Sequence, residues 1–337
     1  MFSALLEVYI KIMLVQILIL IAGLLLILSG ANFLVDGSSS VAKKSGLSEF
    51  VIGLTIVGIG TSTPEMVVSF FSSFQGKTDM AIGNIVGSNI FNTMLILGVT
   101  ALITPLVITR SNLKRDIPMN IIATLMLIFL GLNQTLFGYG TNSLSRVDGI
   151  IMLVTFAGYM AACFRKDTFE VDETDQSGIK VRPTWVSVSF ILGGLAALIY
   201  GGRLFVESAT SLAKLAGVSD AFIAITVMAG GTSFPELATC VVAAIKGRGQ
   251  LALGNILGSN ISNILLILGG SAIINPLSFG NRGSNGVTPV DLGFVLLGAI
   301  FILASTYLFE KKKLDRVEGV ILILMEAGYL TWLFMSI

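Results

Sequence analysis

Residues 30–106 of the chain return without a gap as residues 201–277, with 32 identities in 77 aligned positions at an offset of 171. Two unrelated apolar segments do not match in this way, because polar residues are kept as well. Gly-Thr-Ser-Thr-Pro-Glu at 60–65 matches Gly-Thr-Ser-Phe-Pro-Glu at 231–236. Gly-Asn-Ile-Val-Gly-Ser-Asn-Ile-Phe-Asn at 83–92 matches Gly-Asn-Ile-Leu-Gly-Ser-Asn-Ile-Ser-Asn at 254–263. Further on, Arg146-Val147-Asp148-Gly149 recurs as Arg316-Val317-Glu318-Gly319, so the repeat runs through both halves. A duplication of this length constrains the architecture before any single residue is read.

The medium in which the halves fold follows from composition. Apolar residues make up 54% of the 337 and charged residues 12%, with a mean hydropathy of +0.90, whereas a soluble domain carries about 25% charged residues. A soluble enzyme is excluded. At about 20 apolar residues per membrane-spanning helix, ten spans are expected: 14–35, 48–74, 80–103, 117–134, 148–164, 185–206, 219–245, 250–274, 288–309 and 317–336. The charged linker 165–183 sits at the midpoint and divides an N-terminal five-helix repeat (1–164, core 48–106) from a C-terminal one (184–337, core 219–277). Five is odd, so the second copy enters the membrane from the opposite face. The expected fold class is an all-α polytopic membrane protein of ten transmembrane helices in two inverted five-helix repeats.

Ten spans leave both termini on one side. That side holds Lys11, Lys77, Arg146, Arg203, Lys214 and Arg282, and the other fifteen basic residues lie opposite. By the positive-inside rule both termini are extracellular and the linker cytoplasmic, in a multi-pass plasma-membrane protein. Residues 1–13 carry Glu7 and Lys11 and have no small-residue cleavage site, so the first apolar run reads as a retained span rather than a signal peptide. The 21 basic and 20 acidic residues nearly cancel, which gives no field for nucleic acid. There is no histidine, which excludes His-ligated zinc and imidazole catalysis. Cys163 and Cys240 lack metal-ligand spacing and read as packing residues.

Glu65 and Glu236 lie in mid-span, where a carboxylate costs several kcal/mol, about 3 on insertion scales. Each follows a proline, and each proline follows a Thr-Ser-X triplet and glycines, Gly58-Ile59-Gly60 or Gly230-Gly231. Proline cannot donate a backbone hydrogen bond and glycine lets the chain bend, so both spans are expected to be broken helices. Such breaks are tolerated only inside protein or beside a cavity, and they free carbonyls near Thr61, Ser62, Thr232 and Ser233. Matching breaks are expected at Gly87-Ser88-Asn89 and Gly258-Ser259-Asn260, with Asn92 and Asn263 one turn beyond the serines. All these donors are oxygens, which suits hard cations, Ca²⁺ above all, and offers nothing to soft metals. Single serines and threonines also bond to their own backbone in membrane helices, and Gly83/Gly87 and Gly254/Gly258 fit small-residue helix packing equally well. The glutamates are different, since packing gives no reason to bury two carboxylates at matching positions.

The two blocks, each present once per half, resemble the α-repeats of the cation/Ca²⁺ exchanger superfamily, specifically its sodium/calcium exchanger type, over nearly the whole chain. The resemblance implies ten helices with four broken core helices around a midplane ion site, and long first and sixth helices that slide across it to give alternating access. It implies as ion ligands Glu65, Asn92, Glu236 and Asn263, with Thr61, Ser62, Ser88, Thr232, Ser233 and Ser259 and the carbonyls of Gly58 and Ala229. The glutamates and two serines would hold the central Ca²⁺, and the flanking hydroxyls and carbonyls would hold Na⁺. Asn263 stands where many prokaryotic and potassium-dependent members have Asp, leaving two formal charges, which argues against potassium co-transport. The linker is too short for a regulatory domain.

The expected function is therefore a secondary antiporter exchanging Na⁺ for Ca²⁺, electrogenic at the family's usual three-for-one ratio. Its cargo is these ions, and it needs no cofactor, no enzymatic activity and no obligatory protein partner beyond the bilayer. H⁺/Ca²⁺ exchange is the nearest rival, disfavoured by the many neutral ligands. A cation channel is disfavoured by the inverted repeat. Asp36, Glu49, Asp148, Glu207, Asp220 and Glu318 fall near span ends, where capping or solvation is expected. Glu326 lies deep in the last span opposite Phe156 at an offset of 170, and reads as hydrogen-bonded in the bundle rather than ion-binding. Asn133-Gln134-Thr135 matches a glycosylation pattern and carries no weight without a eukaryotic source.

Overall fold

The computed structural model describes residues 2–138, 140–165, 179–216, 229–279, 287–308 and 312–336. The first part of the span expected at 219–245, with Asp220, lies outside them, as do Arg282 and most of the linker. The described chain is almost wholly helical. Its helices are α1 (Phe2–Ser45), α2 (Glu49–Thr61), α3 (Thr63–Phe74), α4 (Thr78–Ile103), α5 (Ile117–Gly131), α6 (Asn133–Phe137), α7 (Arg146–Cys163), α8 (Thr184–Leu215), α9 (Ala229–Gly231), α10 (Phe234–Ile245), α11 (Gly249–Ile274), α12 (Pro289–Leu308) and α13 (Arg316–Ser336). Among the described residues seven of these are long and apolar enough to cross a membrane, and the bent pair α2–α3 makes an eighth.

Two of them overrun their expected spans. With 44 residues, α1 is about 66 Å long at 1.5 Å per residue, twice the ~30 Å hydrocarbon core. Nothing in Phe2–Ser45 breaks a helix until Gly46, which takes φ of 69° just after Lys43 and Lys44 have placed positive charge on the C-terminal turn. The 32-residue α8 likewise exceeds 185–206. These long helices lie antiparallel along a seam of small residues. Gly23 meets Gly201, Gly30 meets Gly194 and Gly37 meets Ser187, a spacing of seven residues or two helical turns. A Cβ at Gly30 would stand 2.8 Å from the Gly194 carbonyl oxygen, and one at Gly201 would stand 2.8 Å from that of Gly23. Only glycine permits so close an approach.

The remaining helices form a bundle in which each half completes the other. α3 and α10 end in the same way: Gly76 and Gly247 adopt φ of 74° and 70°, and the next amides, Lys77 and Arg248, reach back to the carbonyls of Ser72 and Ala243 at 2.8 and 2.7 Å. Among the described residues, four two-residue strands exchange between the halves. β1 (Leu106–Val107), after α4, pairs antiparallel with β4 (Lys313–Leu314), before α13. β2 (Ser143–Leu144), before α7, pairs with β3 (Leu277–Ser278), after α11. These bridges were not expected of an all-α chain. They satisfy backbone groups where the helices stop. Two of the charges expected near span ends act as caps: Ser145 and Asp148 form a capping box, and Glu318 accepts from the Asp315 amide at 2.9 Å. Asp36 and Glu207 instead lie inside the longer α1 and α8, where Glu207 pairs with Arg203 at 2.7 Å and Asp36 with Lys246 and Arg182, and Glu49 is buried in the first turn of α2 rather than solvated. Cys163 and Cys240 are free and buried.

The breaks expected at Gly87-Ser88-Asn89 and Gly258-Ser259-Asn260 are not there. α4 and α11 run through both triplets and only widen into π turns one turn later, at Asn92–Ile96 and Asn263–Leu268. No proline interrupts these helices, so nothing forces the ladder apart; Gly254 and Gly258 act in packing, whereas a Cβ at Gly87 would meet nothing within 4 Å. A Cβ at Gly254 would come within 2.2 Å of the Phe50 carbonyl oxygen, and one at Gly258 within 2.4 Å of that of Leu54. Gly254→Ala is therefore expected to cost about 2 kcal/mol and to lower the melting temperature of the detergent-purified chain. Gly328→Ala, where a Cβ meets nothing within 4 Å, is expected to leave it unchanged. A fluorescence melt checks both.

Candidate cation site

The functional side chains are placed by the one sharp bend among the described helices. α2 and α3 meet at 48° around Ser62. Pro64 stands in the first turn of α3, where it needs no donor of its own, but its missing N–H leaves the Gly60 carbonyl without its usual partner four residues on. The second half repeats the arrangement, with Ser233 before α10 and Pro235 in its first turn. Glu65 and Glu236 thus occupy the first turns of two half-helices, where the amide dipoles favour a negative charge.

Ser62 and Ser233 stand at N-cap positions but do not cap their own helices. Each hydroxyl crosses to the other half: Ser62 Oγ donates to Glu236 Oε1 at 3.0 Å, and Ser233 Oγ donates to Glu65 Oε1 at 3.2 Å. Ser88 of α4 adds a longer bond to Glu65 Oε1 at 3.4 Å, while its counterpart Ser259 donates to the Gly58 carbonyl at 3.1 Å. Thr61 Oγ1 donates to Asn255 Oδ1 at 3.1 Å and to the Gly58 carbonyl at 3.5 Å. Thr232 is half-buried beside Glu65. Ala229 opens α9 at the edge of the described residues. Eleven of the twelve residues expected at the site are thereby located around one point or on the π turns flanking it; for Ala229 only its backbone position is described.

Burial sets the energetics of this cluster. Glu65 and Glu236 are each 1% exposed, and Asn92 and Asn263 1% and 0%. Among the described residues no basic side chain pairs with either glutamate. Glu65 Oε2, Glu236 Oε2, Asn92 Oδ1 and Asn263 Oδ1 have no hydrogen-bond donor. Buried polar atoms are ordinarily satisfied, and a carboxylate pair in apolar surroundings needs a compensating charge. Every unpartnered oxygen here is a hard-cation ligand, and nothing in the set is soft.

Some of the site was not read from the sequence. The π turns begin at Asn92 and Asn263 themselves and so turn these amides inward. Asn84 Nδ2 holds the backbone carbonyl of Glu65 at 3.2 Å and Ser69 Oγ at 3.0 Å, and Asn255, its counterpart, receives Thr61. Asn89 Nδ2 donates to the Asn260 carbonyl at 3.1 Å. All four of these asparagines lie in the repeated block, and their exact duplication in an apolar setting was the signal available. Glu326 is 4% exposed and its Oε2 has no partner, so the expected hydrogen bond is missing at that oxygen.

The chain matches the sodium/calcium exchanger protein family over residues 15–165 and 186–335. It is 36% identical to a putative antiporter, CaxA, of Alkalimonas amylolytica, covering 89% of this chain and 92% of that protein. It is 33% identical to the sodium/calcium exchanger MaX1 of Methanosarcina acetivorans, over 88% and 92% of the respective chains. Its fold superposes on the solved sodium-calcium exchanger NCX_Mj with a TM-score of 0.79 at 28% identity, covering 94% of this chain and 98% of that one. A multi-pass membrane antiporter with an oxygen-lined, doubly acidic centre, the chain belongs to the sodium/calcium exchanger protein family.

Proposed function

We propose that the protein exchanges Na⁺ for Ca²⁺ by alternating access, at a single site built from Glu65, Glu236, Asn92, Asn263, Thr61, Thr232, Ser62, Ser233, Ser88 and Ser259 and the carbonyls of Gly58 and Ala229. The observation that carries this reading is the reciprocal contact of Ser62 with Glu236 and of Ser233 with Glu65. Because each half supplies a donor to the other's carboxylate, ligands from both halves converge on one place. The name of the relative MaX1 supports Na⁺ as the counter-ion.

In this reading the chain has ten spans in two inverted five-helix halves, 1–164 and 184–337, joined by the cytoplasmic linker 165–183, with both termini outside. The exchanged strand pairs and the matched helix breaks at Ser62 and Ser233 support that symmetry. The α1–α8 pair, bound backbone to backbone along its glycine seam, moves across the bundle as one body. Two carboxylates give the site a formal charge of −2, which one Ca²⁺ neutralises and several Na⁺ match. Without cations the charge would have to be enclosed in apolar surroundings, at a cost of several kcal/mol. This barrier makes the cycle an exchange rather than a leak.

Proteoliposomes loaded with Na⁺ are expected to take up ⁴⁵Ca²⁺, whereas those loaded with K⁺ or with acid are not. Glu65→Gln and Glu236→Gln are each expected to reduce uptake to background. Uptake that follows a proton gradient instead would make the protein an H⁺/Ca²⁺ antiporter, and unitary currents in a planar bilayer would make it a channel. Three-for-one exchange moves one net charge, worth ~2.3 kcal/mol per 100 mV, so an inside-positive potential is expected to speed Na⁺-driven uptake of Ca²⁺ by expelling the extra positive charge. Rates indifferent to a K⁺–valinomycin potential would show an electroneutral ratio.

A further inference from the structure

Asn263 is a neutral ligand in the reading above, and a neutral amide has a right and a wrong way round. Its carbonyl oxygen attracts a cation, but a half-turn puts the NH₂ group, a pure donor, in the same place. A site that relies on asparagine therefore needs something to hold the amide in register. Asn263 Nδ2 donates to Asn89 Oδ1 at 3.0 Å, and its own Oδ1 is left without a donor, buried at the centre. Asn89 is itself fixed, since its Nδ2 donates to the backbone carbonyl of Asn260 at 3.1 Å. It is 1% exposed and comes from the opposite half to the residue it holds. Its acceptor can be satisfied by Asn263 only when the Asn263 carbonyl faces the site.

The equivalent pair in the other half is open. Asn260 stands 171 residues after Asn89, and Asn92 stands 171 before Asn263. Asn260 Nδ2 donates instead to Thr93 Oγ1 at 2.7 Å, leaving Asn260 Oδ1, Asn92 Nδ2 and Asn92 Oδ1 all unpartnered. The cause is in the sequence: Thr93 is matched by Ile264, which offers Asn89 no hydroxyl. One ligand amide is thus braced and the other is free to turn.

We propose that Asn89 is a positioning residue for cation binding, which acts through Asn263 by holding that amide with its oxygen toward the ion. This rests on the proposed site, and it makes a claim that a packing role does not. A carboxylate at 263 has no wrong face, so replacing Asn263 with Asp removes the need for Asn89.

The test measures initial rates of Na⁺-driven ⁴⁵Ca²⁺ uptake against Ca²⁺ concentration for Asn89→Leu, Asn263→Asp, the double variant and Asn263→Ala, each reconstituted as the full chain. Asn89→Leu is expected to raise the KM for Ca²⁺ about tenfold with little change in the maximal rate. Added to Asn263→Asp, the same change is expected to shift KM by less than about twofold. Equal shifts in the two backgrounds, or no shift in either, would overturn the proposal. Should Asn89→Leu fail to accumulate, Asn89→Ala carries the same test, with KM expected to rise about tenfold alone and less than about twofold when added to Asn263→Asp; equal shifts in the two backgrounds would overturn the proposal. Asn263→Ala separates the levels: if it leaves Ca²⁺ transport unaffected, the site itself is wrongly placed, whereas a loss there with no effect of Asn89 fails only the positioning claim.

Discussion

The contact between each bend serine and the opposite glutamate is the constraint on which the rest of the structure depends. Ser62 and Ser233 forgo capping their own helices, a role worth about 1 kcal/mol each, and donate instead across the pseudo-symmetric interface at 3.0 and 3.2 Å. For that to happen the two helix breaks must face each other, the two prolines must open their helices at matched positions, and the carboxylates must sit in the first turns. The exchanged strands hold the outer ends of the halves in the same reciprocal register. Neither half completes this centre alone.

Close backbone approach is what allows so polar a centre to be enclosed. Gly254 and Gly258 bring α11 against α2 at van der Waals contact with the carbonyls of Phe50 and Leu54. Gly23, Gly30 and Gly37 do the same for α1 against α8. The first set fixes one wall of the site. The second welds two helices, much longer than a bilayer is thick, into a single beam. In the proposed cycle the beam moves and the wall stays, and the net charge of −2 at the centre decides when movement is cheap.

Much of this was legible in the sequence because duplication converts weak signals into strong ones. One Pro-Glu pair in an apolar run is ambiguous, but Pro64-Glu65 and Pro235-Glu236 at a fixed offset are not. The bend at Ser62 followed from Pro64, whose missing donor acts locally. The breaks expected in α4 and α11 did not occur because Gly87 and Gly258 permit a bend without forcing one, and tertiary packing used Gly258 for contact instead. The lengths of α1 and α8 were underestimated since hydropathy marks where lipid is, not where a helix ends. The strand exchange and the Asn89–Asn263 bond join residues more than 130 positions apart, and no local pattern encodes such pairings. The seven-residue glycine spacing was present in both helices and could have been found by the same self-comparison.

If both halves build one shared site, equilibrium binding of ⁴⁵Ca²⁺ to the purified chain in Na⁺-free buffer will saturate at one ion per chain, and Glu65→Gln or Glu236→Gln alone will abolish it. Two ions per chain, falling to one with either substitution, would show that each half binds its own and would contradict the account.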